Sequence, residues 1–396
     1  MVMLADVSGD GLPAKVLLYG IFLAMIAGFL FLDLFVLNRK AHVIGAGEAL
    51  RQAGGWFAVA ICFCASVFYL YEHRVAGLGE APPDPALVEQ AQKDRVAAGD
   101  GPLIGPARTP LDDPYLPNNG KEAVVMFFQG YLLELMLSLD NMMVIAIIMT
   151  YFKVPRPYQH RVLFWGIMGA IVLRGAMIYV GSELVSRYHW IIYVFGGFLL
   201  LTAIKMMLIK EDDEPDLEKN PMVRLARRLF RITPDYHGQR FIVRTPQGLA
   251  ITPLMLALFA IEFADVIFAV DSIPAIFGIT KDPFIVLTSN CFAILGLRAL
   301  YFAVAALSAR FKYLKTSMML ILAFIGVKML MPVLANIPAA HGAAGGWDFH
   351  ISAYASLGVI ASLMVAGVVA SVWAGSDAPE PADDPPADPP PADPRP

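Results

Sequence analysis

Two apolar stretches of this chain carry the same acids in the same order. They read Glu134-Leu-Met-Leu-Ser-Leu-Asp140-Asn141 and Asp265-Val-Ile-Phe-Ala-Val-Asp271-Ser272. Each holds a carboxylate, five uncharged residues, an aspartate and a small polar residue. An ionised side chain at the centre of a lipid-spanning helix costs about 2.5–3.5 kcal/mol or more unless it is paired or hydrated, so acids in such places mark function. With Glu262 one turn before Asp265, the two stretches supply five carboxylates plus Asn141 and Ser272, an oxygen-only donor set. Hard oxygen donors suit Mn²⁺, Mg²⁺ or Ca²⁺, whereas soft or borderline metals favour Cys and His. Neither stretch contains a His. Cys62, Cys64 and Cys291 fall in other apolar segments, where a cysteine usually packs as a small hydrophobe. The pattern therefore points to a hard cation bound within the membrane and moved across it, not to zinc or copper.

Intramembrane bases accompany the acids: Arg174, Lys205, Arg298 and Lys328. They read either as structural partners of the acids or as charges that balance an empty site and give way to an ion. Lys205 stands near the end of its segment, from where it can snorkel. Asp33 closes the first apolar segment and either faces the bundle, as an accessory acid, or reaches the interface. At about 100° per residue, Glu134 and Asn141 share one helix face while Asp140 lies about 120° away. The acids around Asp265 spread just as widely, so the helices must be broken or must meet polar partners on two sides. Pro274 favours a break, since it removes a backbone donor.

The elements that must hold these residues are transmembrane helices. The chain has 396 residues, of which 57% are hydrophobic and only 16% charged, against about 25% charged in soluble proteins. Apolar runs of roughly 20 residues match a bilayer core. Nine such spans are expected, near 15–37, 54–72, 122–151, 161–181, 188–210, 251–277, 284–308, 316–337 and 351–374. Lys and Arg concentrate in alternate loops, which by the positive-inside rule sets the N-terminus outside and the C-terminus in the cytoplasm. The expected organisation is a two-span segment at 1–75, an extracytoplasmic Pro- and Asp-rich linker at 76–121, three spans in 122–210, a basic cytoplasmic loop at 211–250, three spans in 251–337, a ninth span in 338–374, and a disordered acidic Pro-rich tail at 375–396. Within the basic loop, Met222–Ile232 alternates basic and apolar residues at helical spacing, as a helix on the inner membrane surface or in solution would.

The polar residues repeat. Glu134 and Asp140 recur 131 residues on as Asp265 and Asp271, Arg174 recurs 124 on as Arg298, and Lys205 recurs 123 on as Lys328. Two three-span units, each ordered acid, Arg, Lys, follow. An odd number of spans inverts the second unit, which is the architecture of many secondary transporters, with the site at the midplane between repeats.

At these residues the chain resembles the TerC family of integral membrane proteins, named for tellurium resistance. The stretches that carry the likeness include FFQGYLLELMLSLDNMMV (127–144), YQHRVLFWGIMGA (158–170), RYHWIIYVFGGFLLLTAIKM (187–206) and FADVIFAVDSIPAIFGITKDPFIVLTSNCFAILGLRALYF (263–302). The resemblance implies a bacterial inner-membrane protein that exports Mn²⁺, with Glu134, Asp140, Glu262, Asp265 and Asp271 as ion ligands. The family name records a resistance phenotype and does not establish a tellurium substrate. No tightly bound cofactor, nucleic-acid partner or enzymatic activity is expected. The expected partners are the cation, protons and the bilayer, and oligomeric state is left open. No Walker loop is present. Phe268-Ala-Val-Asp271 departs from the Gly-x-Gly-Asp of intramembrane aspartyl proteases. The alternative to a transporter is a non-transporting scaffold or insertion factor that recruits partners through the linker and tail.

Overall fold

The computed structural model describes residues 11–33, 46–79, 115–188, 190–208, 228, 230–246, 248–297, 299–301, 313–334 and 351–375. The chain is an all-α polytopic membrane protein. Among the described residues its α-helices are α1 (Gly11–Phe31), α2 (Ala46–Glu72), α3 (Gly120–Tyr151), α4 (Arg156–Arg187), α5 (Ile191–Leu208), α6 (Pro253–Phe277), α7 (Pro283–Leu295), α8 (Leu314–Leu334) and α9 (Ala353–Gly375). Eight of them are long and apolar enough to cross a membrane. The expected seventh span appears as the 13-residue α7, a turn at Gly296 and further helical residues at 297 and 299–301. The described remainder of the linker expected at 76–121 is confined to 76–79 and 115–121, and the tail expected from 376 onward lies outside the described residues.

Helix starts follow local chemistry. Asn119 caps α3 by accepting from the Glu122 amide at 2.9 Å, which satisfies one of the free N–H groups of the first turn. Asp282 caps α7, accepting from the Phe284 and Ile285 amides at 2.9 and 3.1 Å. Pro253 and Pro283 sit in the first turns of α6 and α7, where proline's missing donor is not needed.

Packing separates centre from periphery. In α3 56% of the apolar window is buried, against 17% in α1, α2 and α9, so α3 is the central helix and those three wrap the outside. Helix α3 packs on α7 and α6, α4 on α6 and α7, and α5 on α8 and α6, with a smaller α3–α8 contact. Exchanging α3, α4, α5 for α6, α7, α8 maps these pairings onto themselves; the slight α4–α5 and α6–α8 contacts fall outside that correspondence. A cluster of rings, with Phe63 and Phe292 at 4.5 Å and Phe22 and Phe127 beside them, joins α1 and α2 to α3 and α7.

The apolar core divides in two. One cluster runs through Phe127–Leu137 of α3 and Ala269–Phe277 of α6; the other through Met142–Met149 of α3 and Leu254–Ala264 of α6. Between them lies a polar layer, near the midpoints of α3, α4 and α6.

The sequence-based expectation of helix up to Ile232 does not hold, because Arg231–Ile232 form a strand, β1. It joins β2 (Ile242–Thr245) and β3 (Gly248–Ile251) in a small sheet of order β1-β3-β2, with β1–β3 parallel and β2–β3 antiparallel. Residues 222–227 lie outside the described residues. Helix α6 also runs unbroken through Pro274 to Phe277, contrary to the expected break. Pro274 stands within the last turn of α6, where few downstream bonds remain to be lost.

Candidate intramembrane charge site

Arg174 of α4 projects into the polar layer and is only 1% exposed. Its guanidinium forms an ion pair with Glu134 of α3. On the other side Nη2 donates to Asp265 Oδ1 of α6 at 3.0 Å, and Nε donates to Asp265 Oδ2 at 3.4 Å. Nη1 also donates to Asn290 Oδ1 of α7 at 3.4 Å. One planar fork thus joins all four helices, the geometry for which arginine is suited and lysine is not. Asn141 completes the ring in one amide orientation. There its nitrogen donates to the Leu137 carbonyl at 3.0 Å and its oxygen accepts from Arg174 Nη2 at 3.2 Å. Ser138 Oγ donates to Glu134 Oε1 at 3.3 Å.

Burying a single charge is prohibitive, and burying a pair is tolerable only with good geometry and full hydrogen bonding. The Arg174 network supplies the partners that this requires, two carboxylates and an amide around one guanidinium. Two carboxylates around one guanidinium leave it with a formal charge of one negative.

The other expected site residues fall in different places. Glu262, half-buried, lies one turn from Asp265 against Gly169 of α4, its carboxylate filling the space a Cβ there would occupy. Asp271 turns towards α5, accepting from Thr202 Oγ1 at 3.4 Å. Ser272 is buried and its hydroxyl has no partner. Asp140 is half-buried and off the Glu134 face. The wide spread of acids around α6 is thus met by polar partners on two sides, Arg174 of α4 and Thr202 of α5. Asp33 is buried at the end of α1. Lys205 is exposed on the last turn of α5. Lys328 is buried, its Nζ 5.4 Å from the Tyr115 ring, and Lys281 Nζ lies 5.0 Å from the same ring. Arg298 lies outside the described residues. Among the described residues, no three His, Cys, Asp or Glu side chains are gathered as a metal cage; the guanidinium stands between Glu134 and Asp265.

Three participants were not singled out from the sequence: Asn290, Thr202 and Gly169. Asn290 carries a readable signal, since it closes the polar run Thr288-Ser289-Asn290 in the middle of an otherwise apolar α7. A small cavity reaches Asp265 from the side of Met142, Ile145, Leu163 and Ile261, and Asp265 is the one charged residue in its lining. On that side the acid is walled off by apolar groups.

Gly169→Ala tests the Glu262 position. The added methyl displaces a flexible carboxylate rather than backbone, so thermal stability should stay close to wild type while any activity that depends on the Glu262 position falls. A variant that loses both equally would show that Gly169 matters for packing alone.

A bundle of apolar helices around a buried charge cluster defines a polytopic membrane protein with a polar centre. The chain belongs to the TerC family: the family profile described as "Integral membrane protein TerC family" matches residues 119–378. It is 37% identical over 358 residues to an uncharacterized membrane protein of Myxococcus xanthus, covering 90% of this chain and 92% of the relative. It is 38% identical over 358 residues to Alx of Escherichia coli K12, named as a candidate membrane-bound redox modulator, covering 90% and 94%. To the Photorhabdus laumondii protein of the same name it is 50% identical over 250 residues, covering 63% and 73%. No solved structure matches the chain.

Proposed function

We propose that the protein is a secondary transporter that exports a hard divalent cation from the cytoplasm, and that it works in the bacterial inner membrane with its N-terminus outside. Manganese is the substrate that the family resemblance favours. The observation that carries the reading is Arg174, a buried cation held between one acid of α3 and one of α6, the two helices whose acids repeat. The guanidinium occupies the place of a charge that the carboxylates would otherwise draw from solution. In this reading an arriving ion competes with Arg174 for Glu134 and Asp265, and Glu262, Asp140 and Asp271 extend the acidic path along the two helices. The exchange symmetry of the helix pairings supports two inverted three-helix repeats, whose rocking would open the site to either side in turn. The apolar wall beside Asp265 fits a conformation closed at that end.

The test is flux of Mn, Mg, Ca, Zn and Fe by purified protein in liposomes. Manganese should move, and Asp140→Asn and Asp271→Asn variants that fold normally should reduce the flux at least tenfold. Absence of flux for every metal, together with loss of the cellular phenotype on deleting 76–121, would favour the scaffold reading instead.

A further inference from the structure

The small sheet carries a surface that the transport reading does not use. Paired residues of adjacent strands share a face, and successive residues alternate. The registers Ile242↔Ile251 and Arg244↔Leu249 put these four on one face of β2 and β3. Ile232 of β1 pairs with Ile251, and continuing that parallel register sets Phe230 beside Leu249. On this face Ile251 is buried against Leu256, with Met255 and Phe259 of α6 beside it. Phe230, Ile242 and Leu249 are instead 48%, 53% and 67% exposed. Three large apolar side chains this exposed, outside any membrane span, need a partner.

The surroundings say which. Only Thr252 separates the end of β3 from the start of α6, so at about 3.8 Å per residue the sheet cannot leave the bilayer surface. The Phe230 ring lies 6.4 Å from that of Phe259, which makes the apolar face continuous with the flank of a membrane span. The segment 228–251 holds four arginines, Arg228, Arg231, Arg240 and Arg244, and a single acid, Asp235. All four arginines are exposed, and Arg244 shares the face of Leu249 and Ile242. Arg231, paired with Ala250, lies on the opposite face. Exposed apolar side chains that share a face with Arg244, on a segment that also exposes Arg228 and Arg240, match the boundary between acyl chains and phosphate headgroups.

We infer that this face of the sheet docks on anionic phospholipid, with Phe230, Ile242 and Leu249 entering the headgroup boundary and Arg244, joined by Arg228 and Arg240, meeting phosphates. The docked sheet is tied to both acid helices. Tyr236 donates its hydroxyl to the Phe152 carbonyl at the end of α3 at 2.6 Å, and burial pushes its phenol up to about 12, so it stays a donor at neutral pH. Thr252, at the start of α6, donates to the Arg240 carbonyl at 2.7 Å. Lipid contact at the sheet therefore holds these two ends at one depth. The inference does not depend on the transport reading.

The test places a bimane label on Leu249→Cys in full-length protein carrying Cys62→Ala and Cys64→Ala, with buried Cys291 retained. Vesicles of acyl-brominated phosphatidylcholine are compared with equal mixtures of brominated phosphatidylcholine and phosphatidylglycerol. Bromine should quench the label more strongly in the mixture. The Arg228→Gln, Arg240→Gln, Arg244→Gln variant should lower the docked-to-undocked ratio by roughly fivefold per arginine. Quenching by aqueous acrylamide without quenching by bromine would overturn docking. Protection from both quenchers would mean that protein covers the face, and also overturns it. Bromine quenching that ignores lipid charge and the arginines would overturn anionic lipid as the partner.

Discussion

Replacing Arg174 by Gln should destabilise the protein by about 3–5 kcal/mol, the usual cost of removing one partner from a buried ion pair. Glu134 is 1% exposed, so its carboxylate cannot recruit water in place of the lost guanidinium. Adding Glu134→Gln to Arg174→Gln should recover much of the loss, because the second change removes the charge the first one strands. That positive coupling, read from thermal unfolding in detergent, separates an ion pair from simple packing. Arg174→Lys should fall between, since an ammonium cannot reproduce the fork to both oxygens of Asp265 and to Asn290. Metal gives the sharper reading. If the guanidinium holds the cation's place, Mn²⁺ should stabilise Arg174→Gln more than wild type, approaching about 2.7 kcal/mol at 100 times its dissociation constant. Equal shifts in the two proteins would mean that the ion and Arg174 do not compete.

Much of this arrangement is legible in the chain, and the limits of legibility have physical causes. The shared face of Glu134 and Asn141 follows from helical spacing, and both residues do meet Arg174. What spacing cannot supply is the neighbour, because the order of spans along a chain does not determine which helices touch. The choice of Arg174 for Asp265, and of Thr202 for Asp271, lives on that non-local level. Pro274 misled because the cost of a helical proline depends on how much helix follows it, and only three residues do. The sheet hid inside a charged loop. Ile242-Val-Arg-Thr and Gly248-Leu-Ala-Ile are short strands with a turn at Pro246 after the first, but charge density there masks the alternation. Lys205 and Lys328 look equivalent in sequence, yet one ends exposed and the other buried beside Tyr115. What sets Lys328 apart is Tyr115, whose ring lies over its ammonium.

The crossing of α5 and α8 predicts the second large effect. A Cβ on Gly326 would lie 2.9 Å from the Gly196 carbonyl oxygen and 3.0 Å from the Leu200 amide nitrogen. Both are backbone atoms, so no side chain can swing aside and the helices must separate. In lipid no hydrophobic force pulls them back, since the contact rests on close packing of small residues. Helix α5 also carries Thr202, whose 3.4 Å bond to Asp271 is already at the limit of reach; any retreat of α5 breaks it. Gly326→Ala should therefore lower stability by about 1–3 kcal/mol and, on the transport proposal, reduce flux as well. Gly326→Leu should abolish both. Gly197 is the control, because a Cβ there meets nothing within 4 Å. Gly197→Ala should be neutral or gain up to about 1 kcal/mol of helix propensity. If Gly326→Ala instead behaves like Gly197→Ala, α5 and α8 do not depend on this crossing, and the second acid is held in place by something other than their contact.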